Sequence, residues 1–141
     1  MKHVDVAIGI VLRAGRILIC QRRSDGPLPG FWEFPGGKVE PSETAEQALL
    51  RELREELAID VRNLEALTPI EFAYAEAHVR LHPFICQHEA GEARPLASRL
   101  LRWVEPNDLR NFSFPPANDA LIKHLIDRFG MPATEQWPRN N

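Results

Sequence analysis

The chain has 141 residues, 44% of them apolar and 26% charged, which is enough for one folded domain with a single core and excludes a disordered chain. The formal net charge is −3 and the lysines and arginines form no run, which argues against binding to a nucleic-acid polymer. There are two cysteines without Cys-x-x-Cys spacing, and Asp5 interrupts the apolar N-terminal segment. We therefore expect a cytoplasmic protein without disulfides, signal peptide or membrane contact.

The first part of the chain predicts a β-hairpin, a loop and a short strand. Residues 4–12 and 16–21 are apolar and rich in Val and Ile, and Arg13-Ala14-Gly15 offers a turn between them. Residues 24–30, SDGPLPG, hold two prolines and two glycines and are predicted as loop. Residues 31–34 predict an aromatic strand that ends at the following Pro-Gly-Gly sequence.

Residues 45–57 predict an amphipathic helix. Thr44 and Gln47 have the spacing of a capping box, in which the two side chains bond reciprocally to the backbone at the helix start. Leucines recur at helical spacing and form one apolar stripe. These leucines are Leu49, Leu53 and Leu57, with Leu50 beside them.

Between residues 64 and 86 we expect further strands, followed by a polar loop over residues 87–99. Residues 78–85 alternate between polar and apolar side chains, which predicts a half-buried strand with one polar face. The polar positions are His78, Arg80 and His82, and the apolar ones are Val79, Leu81 and Ile85. Pro83 interrupts this strand and requires an edge position or a bulge.

The last part of the chain predicts a strand over residues 100–104, a turn over 106–109, and a second helix after Pro115-Pro116. The apolar face of this helix consists of Leu121, Ile122, Leu125, Ile126 and Phe129. We expect residues 1–130 to form one domain and residues 131–141 a flexible tail. The predicted fold class is α/β, with a mixed sheet between flanking helices.

Six glutamates fall between positions 40 and 56, and three of them share one helix face. Glu55 and Glu56 lie three and four residues after Glu52, so the three carboxylates converge and repel by roughly 0.2–0.5 kcal/mol per exposed pair. Arg51 can pair with Glu55, but one cation does not neutralise three anions. A hard divalent cation such as Mg²⁺ would do so, since it prefers oxygen ligands. The alternative is a solvated acidic face, which is common in amphipathic helices.

The wider spacing resembles the signature of the Nudix hydrolases. Gly37 is followed by five residues, Glu43, seven residues and then the sequence RELREE from Arg51. The family pattern has glycine where this chain has Ala58, and we expect this difference to alter only the end of the helix.

Further segments are similar to the MutT branch of that family. They are QRR at 21–23, FWEFPGGKVE at 31–40 and FPPAND at 114–119. The resemblance implies a Nudix α/β/α sandwich that cleaves nucleoside triphosphates, chiefly 8-oxo-dGTP in the best-known member, to the monophosphate and pyrophosphate. It implies a nucleotide-pool enzyme with Mg²⁺, or Mn²⁺, as cofactor.

The resemblance also implies roles for individual residues. Cations would be held by Glu52, Glu55, Glu56 and the Gly36 carbonyl. Glu52 is the first choice as the base, while Arg51 would orient the carboxylates and Glu43 would hold Arg51. The catalytic group is therefore Arg51, Glu52, Glu55 and Glu56.

For the substrate, the resemblance implies contacts from Lys38, Arg23, the Phe34 backbone and Asn118. Lys38 would contact phosphate, and the Asn118 amide suits the edge of a base because it both donates and accepts hydrogen bonds. A helix cap is the alternative role for Asn118. Ser98 stands where relatives carry another glutamate, and nearby Glu89 or Glu92 could substitute for it.

Two other functions stay open from the sequence. One is a Nudix enzyme that acts on another nucleoside diphosphate derivative, such as a nucleotide sugar or a dinucleoside polyphosphate. The other is a non-catalytic Nudix domain that binds a nucleotide or a partner protein.

Overall fold

The computed structural model describes residues 2–131, and the tail expected at 131–141 lies outside them apart from Met131. The strands are β1 Lys2–Arg13, β2 Arg16–Gln21, β3 Trp32–Glu33, β4 Gly36–Lys38, β5 Asp60–Ala66, β6 Ile70–Ala73, β7 Ala77–Ala90 and β8 Leu100–Val104. The α-helices are α1 Ala45–Leu57 and α2 Asp119–Phe129, and shorter 3-10 helices cover Pro106–Asn111 and Pro116–Asn118. In residues 2–131, no helix is both long and apolar enough to cross a membrane.

The eight strands form one mixed sheet. Its central order is β3-β2-β1-β7-β5, with β4 paired to β1, β6 to β7 and β8 to β2. The pairing of β1 with β7 is parallel, and the other pairings are antiparallel. The hairpin predicted at the N-terminus is present, with Leu12 opposite Ile17.

Each face of the sheet is covered by one α-helix, because successive strand residues point to opposite faces. The core on the α1 side consists of Ala7, Val11, Leu18, Cys20, Ala48, Leu49, Leu53, Leu57, Ile59, Val61, Phe84 and Cys86. The core on the α2 side consists of Ile8, Ile10, Ile17, Ile19, Phe34, Ile85, Val104, Leu109, Leu121, Ile122 and Leu125. The predicted α/β/α sandwich is therefore confirmed.

Helix α1 has the bounds predicted from its capping box and leucine stripe. The Thr44 hydroxyl accepts a hydrogen bond from the Gln47 amide at 3.1 Å, and the Gln47 side chain accepts one from the Thr44 amide at 2.9 Å. At the other end Ala58 is left-handed, with φ 58° and ψ 37°, and its N–H bonds back to the helix. Alanine therefore takes the backbone conformation for which glycine is preferred.

The strand predicted over residues 31–34 does end before Pro35, but the glycine pair that follows was not predicted to be strand. Gly36–Lys38 is itself strand β4 and pairs antiparallel with β1, with Gly36 opposite Ile8 and Gly37 opposite Ala7. A Cβ atom on Gly36 would lie 1.9 Å from the Ala7 carbonyl oxygen. The missing side chain therefore permits close strand pairing here, rather than a turn.

Strand β7 is longer than predicted, and Pro83 pairs with Ile8 of β1 at neither a sheet edge nor a bulge in that pairing. The strand continues to Ala90 because β5 pairs along its far half, which corrects the loop expected from residue 87. Pro83 sits between the part of β7 paired to β6 and the part paired to β5, and its carbonyl accepts from the Leu67 amide at 2.9 Å. Because the N and C=O of a strand residue point the same way, the proline nitrogen faces this junction.

Candidate active site

Arg51 organises the acidic face of α1. Its Nε and Nη2 donate to the two carboxylate oxygens of Glu43 at 2.6 and 2.8 Å, a bidentate pair. Its Nη1 donates to Glu52 at 2.7 Å and to Glu55 at 3.4 Å. Nη2 also reaches the Lys38 carbonyl at 3.1 Å. One guanidinium thus links the helix, the loop before it and strand β4.

Glu43 fixes Arg51 from the loop before the helix. The hydrogen bonds from Arg51, with a further one from the Glu40 amide at 2.9 Å, lower the pKa of Glu43 to about 2. The carboxylate therefore stays ionised at neutral pH and holds the guanidinium in one orientation.

Glu52 lies directly against strand β4. A Cβ atom on Gly37 would come within 2.3 Å of Glu52 Oε2 and 2.4 Å of its Cδ. Only glycine therefore allows this carboxylate its position above the sheet. The glycine before it, Gly36, has its side-chain space filled by the β1 backbone instead.

Glu56 is half-buried among other carboxylates. Burial, followed by repulsion from Glu52 and Glu33, raises the pKa of Glu56 to about 7. Burial also raises the pKa of Glu33, against the opposing effect of the Arg22 guanidinium. Such repulsion is costly without a cation, so this corner of the molecule favours positive charge.

The donor set fits a hard divalent cation. Carboxylate oxygens of Glu52, Glu55 and Glu56 and the backbone of Gly36 are the ligand types that Mg²⁺ and Mn²⁺ take in proteins. In the described part of the chain no three His, Cys, Asp or Glu side chains already converge on one point. Arg51 forms ion pairs with Glu52 and Glu55, so a metal ion would have to share these carboxylates with the guanidinium.

Asn118 and Phe34 lie on the α2 side of the sheet. Asn118 is half-buried just before α2, yet its side chain makes no cap hydrogen bond to that helix, so the capping alternative is wrong. Its Nδ2 instead donates to the Pro115 carbonyl at 3.4 Å. Phe34 is buried, and its ring centroid lies 5.0 Å from that of Phe114.

Arg23 and Lys38 are solvent-facing. Arg23 forms two 3.0 Å hydrogen bonds with Asp25, and both side chains are mostly exposed. Lys38 is exposed on β4 and offers only its carbonyl to Arg51. The structure therefore brings Glu52 and Glu55 to Arg51, whereas Asn118 and Phe34 lie on the α2 side of the sheet and Arg23 and Lys38 are exposed.

Two residues near this site were not predicted from the sequence. Glu33 lines a small cavity with Glu56, and Arg22 donates to Glu33 Oε1 at 2.7 Å. Glu33 belongs to a two-residue strand and has no acidic neighbour at regular spacing. The one available signal was its position in the Phe-Trp-Glu-Phe segment directly before the glycine pair.

Comparison with known proteins agrees with this fold. The NUDIX domain family model matches residues 7–124. A CTP pyrophosphohydrolase of Escherichia coli K12 is 34% identical over 89% of this chain and 93% of its own. An 8-oxo-dGTP diphosphatase of the same organism is 32% identical over 89% and 98%.

A solved structure has nearly the same backbone. The solution structure of the E. coli ORF135 protein has a TM-score of 0.81 at 33% identity and covers 94% of this chain and 96% of that protein. Fold, acidic helix and sequence similarity agree, and the chain belongs to the Nudix hydrolase family, in its MutT-like group.

Proposed function

We propose that the protein is a divalent-metal-dependent nucleoside triphosphate pyrophosphohydrolase. It would convert a ribo- or deoxyribonucleoside triphosphate and water to the nucleoside monophosphate and pyrophosphate. The observation that carries this proposal is the set of three α1 carboxylates, Glu52, Glu55 and Glu56. Arg51 bonds to Glu52 and Glu55, Glu52 is seated against Gly37, and Glu56 is half-buried beside Glu52. The arrangement suits binding and hydrolysis of a polyphosphate.

Different residues would have different roles in this reaction. Bound Mg²⁺ or Mn²⁺ supplies charge neutralisation of the phosphates and lowers the pKa of water. Glu52 accepts the proton of the attacking water as that water adds to the β-phosphorus and the bond to the α-phosphate oxygen breaks. Arg51 keeps the Glu52 carboxylate oriented through its 2.7 Å hydrogen bond, and Glu43 keeps Arg51 in place.

Similarity to enzymes that hydrolyse nucleotides supports a nucleoside triphosphate as the substrate. The relatives named above act on CTP and on 8-oxo-dGTP, which share a triphosphate and differ in base and sugar. We propose a role in clearing 8-oxo-dGTP or another purine or pyrimidine triphosphate from the cytoplasmic nucleotide pool. Asn118, the Phe34 backbone and Arg23 would contact the base, and Lys38 a phosphate. Neither a nucleic-acid polymer nor a membrane is a proposed partner.

A substrate panel tests the reaction. The protein is incubated with Mg²⁺ and each NTP, each dNTP, 8-oxo-dGTP, a nucleotide sugar and a dinucleoside polyphosphate, and the products are separated. We expect monophosphate and pyrophosphate in equal amounts from at least one triphosphate. Release of orthophosphate alone, or activity only on the other two compounds, would contradict the proposal.

Glu55→Gln tests whether the domain is catalytic or only binds nucleotide. We expect kcat to fall by about 100-fold or more, with weaker activation by Mg²⁺, because a cation ligand is lost. Glu46→Gln is the control, since Glu46 is exposed in the first turn of the same helix. A protein without turnover that binds nucleotides equally well in all three forms would be a binding module.

A further inference from the structure

Glu33 lies beside the helix carboxylates but comes from the opposite wall of the site. It is the second residue of β3 and pairs with Cys20 of β2. Its side chain lines a cavity of about 20 Å³ together with Glu56 and Ser98. A space of this size holds about one water-sized occupant.

Arg22 holds Glu33 from one side. Arg22 Nη1 donates to Glu33 Oε1 at 2.7 Å, and no described residue donates a hydrogen bond to the second oxygen, Oε2. The Arg22 Nε donates to the Pro27 carbonyl at 2.8 Å, and its backbone amide to the Phe31 carbonyl at 2.8 Å. The guanidinium is thereby fixed between Glu33 and the loop over residues 24–30.

Stability alone does not account for this arrangement. The Arg22 and Glu33 side chains are 29% and 39% exposed, and ion pairs so accessible to water contribute about 0–1 kcal/mol. Placing Glu33 next to Glu56 instead adds repulsion between two carboxylates. A cost of this kind is typical of a site that binds positive charge.

Ser98 lines this cavity at a position where a glutamate was expected. The MutT-like resemblance puts a glutamate at this position, and here a serine lines the same space as Glu33 and Glu56. The carboxylate that is absent at position 98 was expected from Glu89 or Glu92. Glu33 of β3 offers one instead, across the cavity from the helix.

We propose that Glu33 is a further active-site carboxylate, which binds the cation together with Glu56, and that Arg22 is the positioning residue that orients it. This inference rests on the proposed function, because it assigns one more ligand to the same site. It also connects the 24–30 loop to the cation through the Pro27 contact of Arg22.

Metal binding without nucleotide tests the inference directly. Mn²⁺ is titrated into the wild type, Glu33→Gln and Glu33→Asp by calorimetry, with thermal unfolding recorded for each. We expect Glu33→Gln to raise the Kd for Mn²⁺ by about tenfold or more, the range for a lost ligand or its support. Glu33→Asp should recover part of this affinity. Unchanged Mn²⁺ affinity in Glu33→Gln would overturn the proposal.

The role of Arg22 is tested by steady-state kinetics. We expect Arg22→Gln to lower kcat with little change in Tm, Arg22→Lys to restore part of it, and the double variant with Glu33→Gln to be no slower than Glu33→Gln alone. Fully additive losses would show that Arg22 does not act through Glu33.

Arg16→Gln and Glu105→Gln form the matched control pair. Arg16 begins the same strand, β2, and forms an exposed 3.4 Å ion pair with Glu105 away from the acidic helix. These variants should leave both Mn²⁺ affinity and kcat at wild-type values. A wild type that binds Mn²⁺ but cleaves no triphosphate contradicts the proposed function, whereas equal Mn²⁺ binding by wild type and Glu33→Gln contradicts only the assignment of Glu33.

Discussion

Gly36 and Gly37 are adjacent, but glycine is required at each for a different reason. At Gly36 an added Cβ would lie 1.9 Å from the Ala7 carbonyl oxygen, which belongs to the backbone of a central strand. At Gly37 it would meet the end of the Glu52 side chain, 2.3 Å from Oε2. A backbone cannot move aside cheaply, whereas a glutamate side chain can.

Alanine substitutions at these two positions should therefore separate stability from catalysis. We expect Gly36→Ala to lower the free energy of unfolding by about 3 kcal/mol or more, because β4 and β1 must separate. Gly37→Ala should stay within about 1 kcal/mol of wild type but lose activity, because Glu52 is displaced. Urea denaturation and triphosphate hydrolysis of both variants check this, and an active Gly37→Ala would show that Glu52 needs no fixed position.

Glu43 should make the folded protein less stable at acidic pH. Its pKa is lowered in the folded state, from 4.5 to about 2, by hydrogen bonds from Arg51. The contribution of Glu43 to the stability of the fold is therefore complete above its pKa in the unfolded chain, and it is lost as the pH falls from 4.5 toward 2.

We expect the stability difference between wild type and Glu43→Gln to be constant above about pH 5.5 and to shrink below the unfolded pKa. Urea denaturation at a series of pH values measures it. Arg51→Gln, which removes the partner, should show the same trend. A difference that does not vary with pH would mean that Glu43 and Arg51 are not paired in solution.

At the scale of the element, the end of α1 is held in a conformation that alanine tolerates poorly. Ala58 has φ 58°, and a left-handed residue other than glycine costs roughly 1–2 kcal/mol. Glycine would remove this cost but would lose roughly 0.4–1 kcal/mol through the greater freedom of the unfolded chain.

Ala58→Gly should therefore stabilise the protein by roughly 0.5–1 kcal/mol, with turnover unchanged. Chemical denaturation measures the change. Ala120→Gly, at an exposed position in α2, should have the opposite sign because its backbone is helical. If both substitutions destabilised the protein, the left-handed conformation of Ala58 at the end of α1 would be refuted.

The elements that the sequence predicted well are those determined by local interactions. The capping box and the leucine stripe determine α1 within its own residues, and β8 was predicted with its observed bounds. Strand β4 and the far half of β7 were missed because both depend on partners distant in the chain. Two glycines become a strand only beside β1, and residues 87–90 only beside β5.

The same distinction applies to the site. Glu52, Glu55, Glu56 and Arg51 could be grouped in advance because helical spacing puts them on one face. Glu33 reaches this group only through the pairing of β3 with β2, which no spacing in the sequence reveals.

At the scale of the whole molecule, both cysteines report on global unfolding. Cys20 and Cys86 are buried in the core on the α1 side, and burial raises the pKa of each thiol to about 12. Since the thiolate is the reactive form, neither should react with a thiol reagent such as DTNB near pH 8 in the folded protein.

We expect no labelling of the native protein over the time in which a free thiol reacts completely, and two thiols per chain in denaturant without reductant. Mass spectrometry of the labelled protein gives the count. Rapid labelling of one thiol in the native state would show that part of this core opens without global unfolding.

The parallel pairing of β1 with β7 affects how the protein is made. Every residue of β1 from Lys2 to Leu12 pairs with a residue 75 positions later, from Ala77 to Gln87. At a synthesis rate of roughly 5–20 residues per second, the first strand leaves the ribosome several seconds before its partner exists. During that interval β1 can pair only with β2 and β4, and the edge that β7 later covers stays open. A nascent-chain chaperone that binds extended apolar segments would therefore find a target in β1.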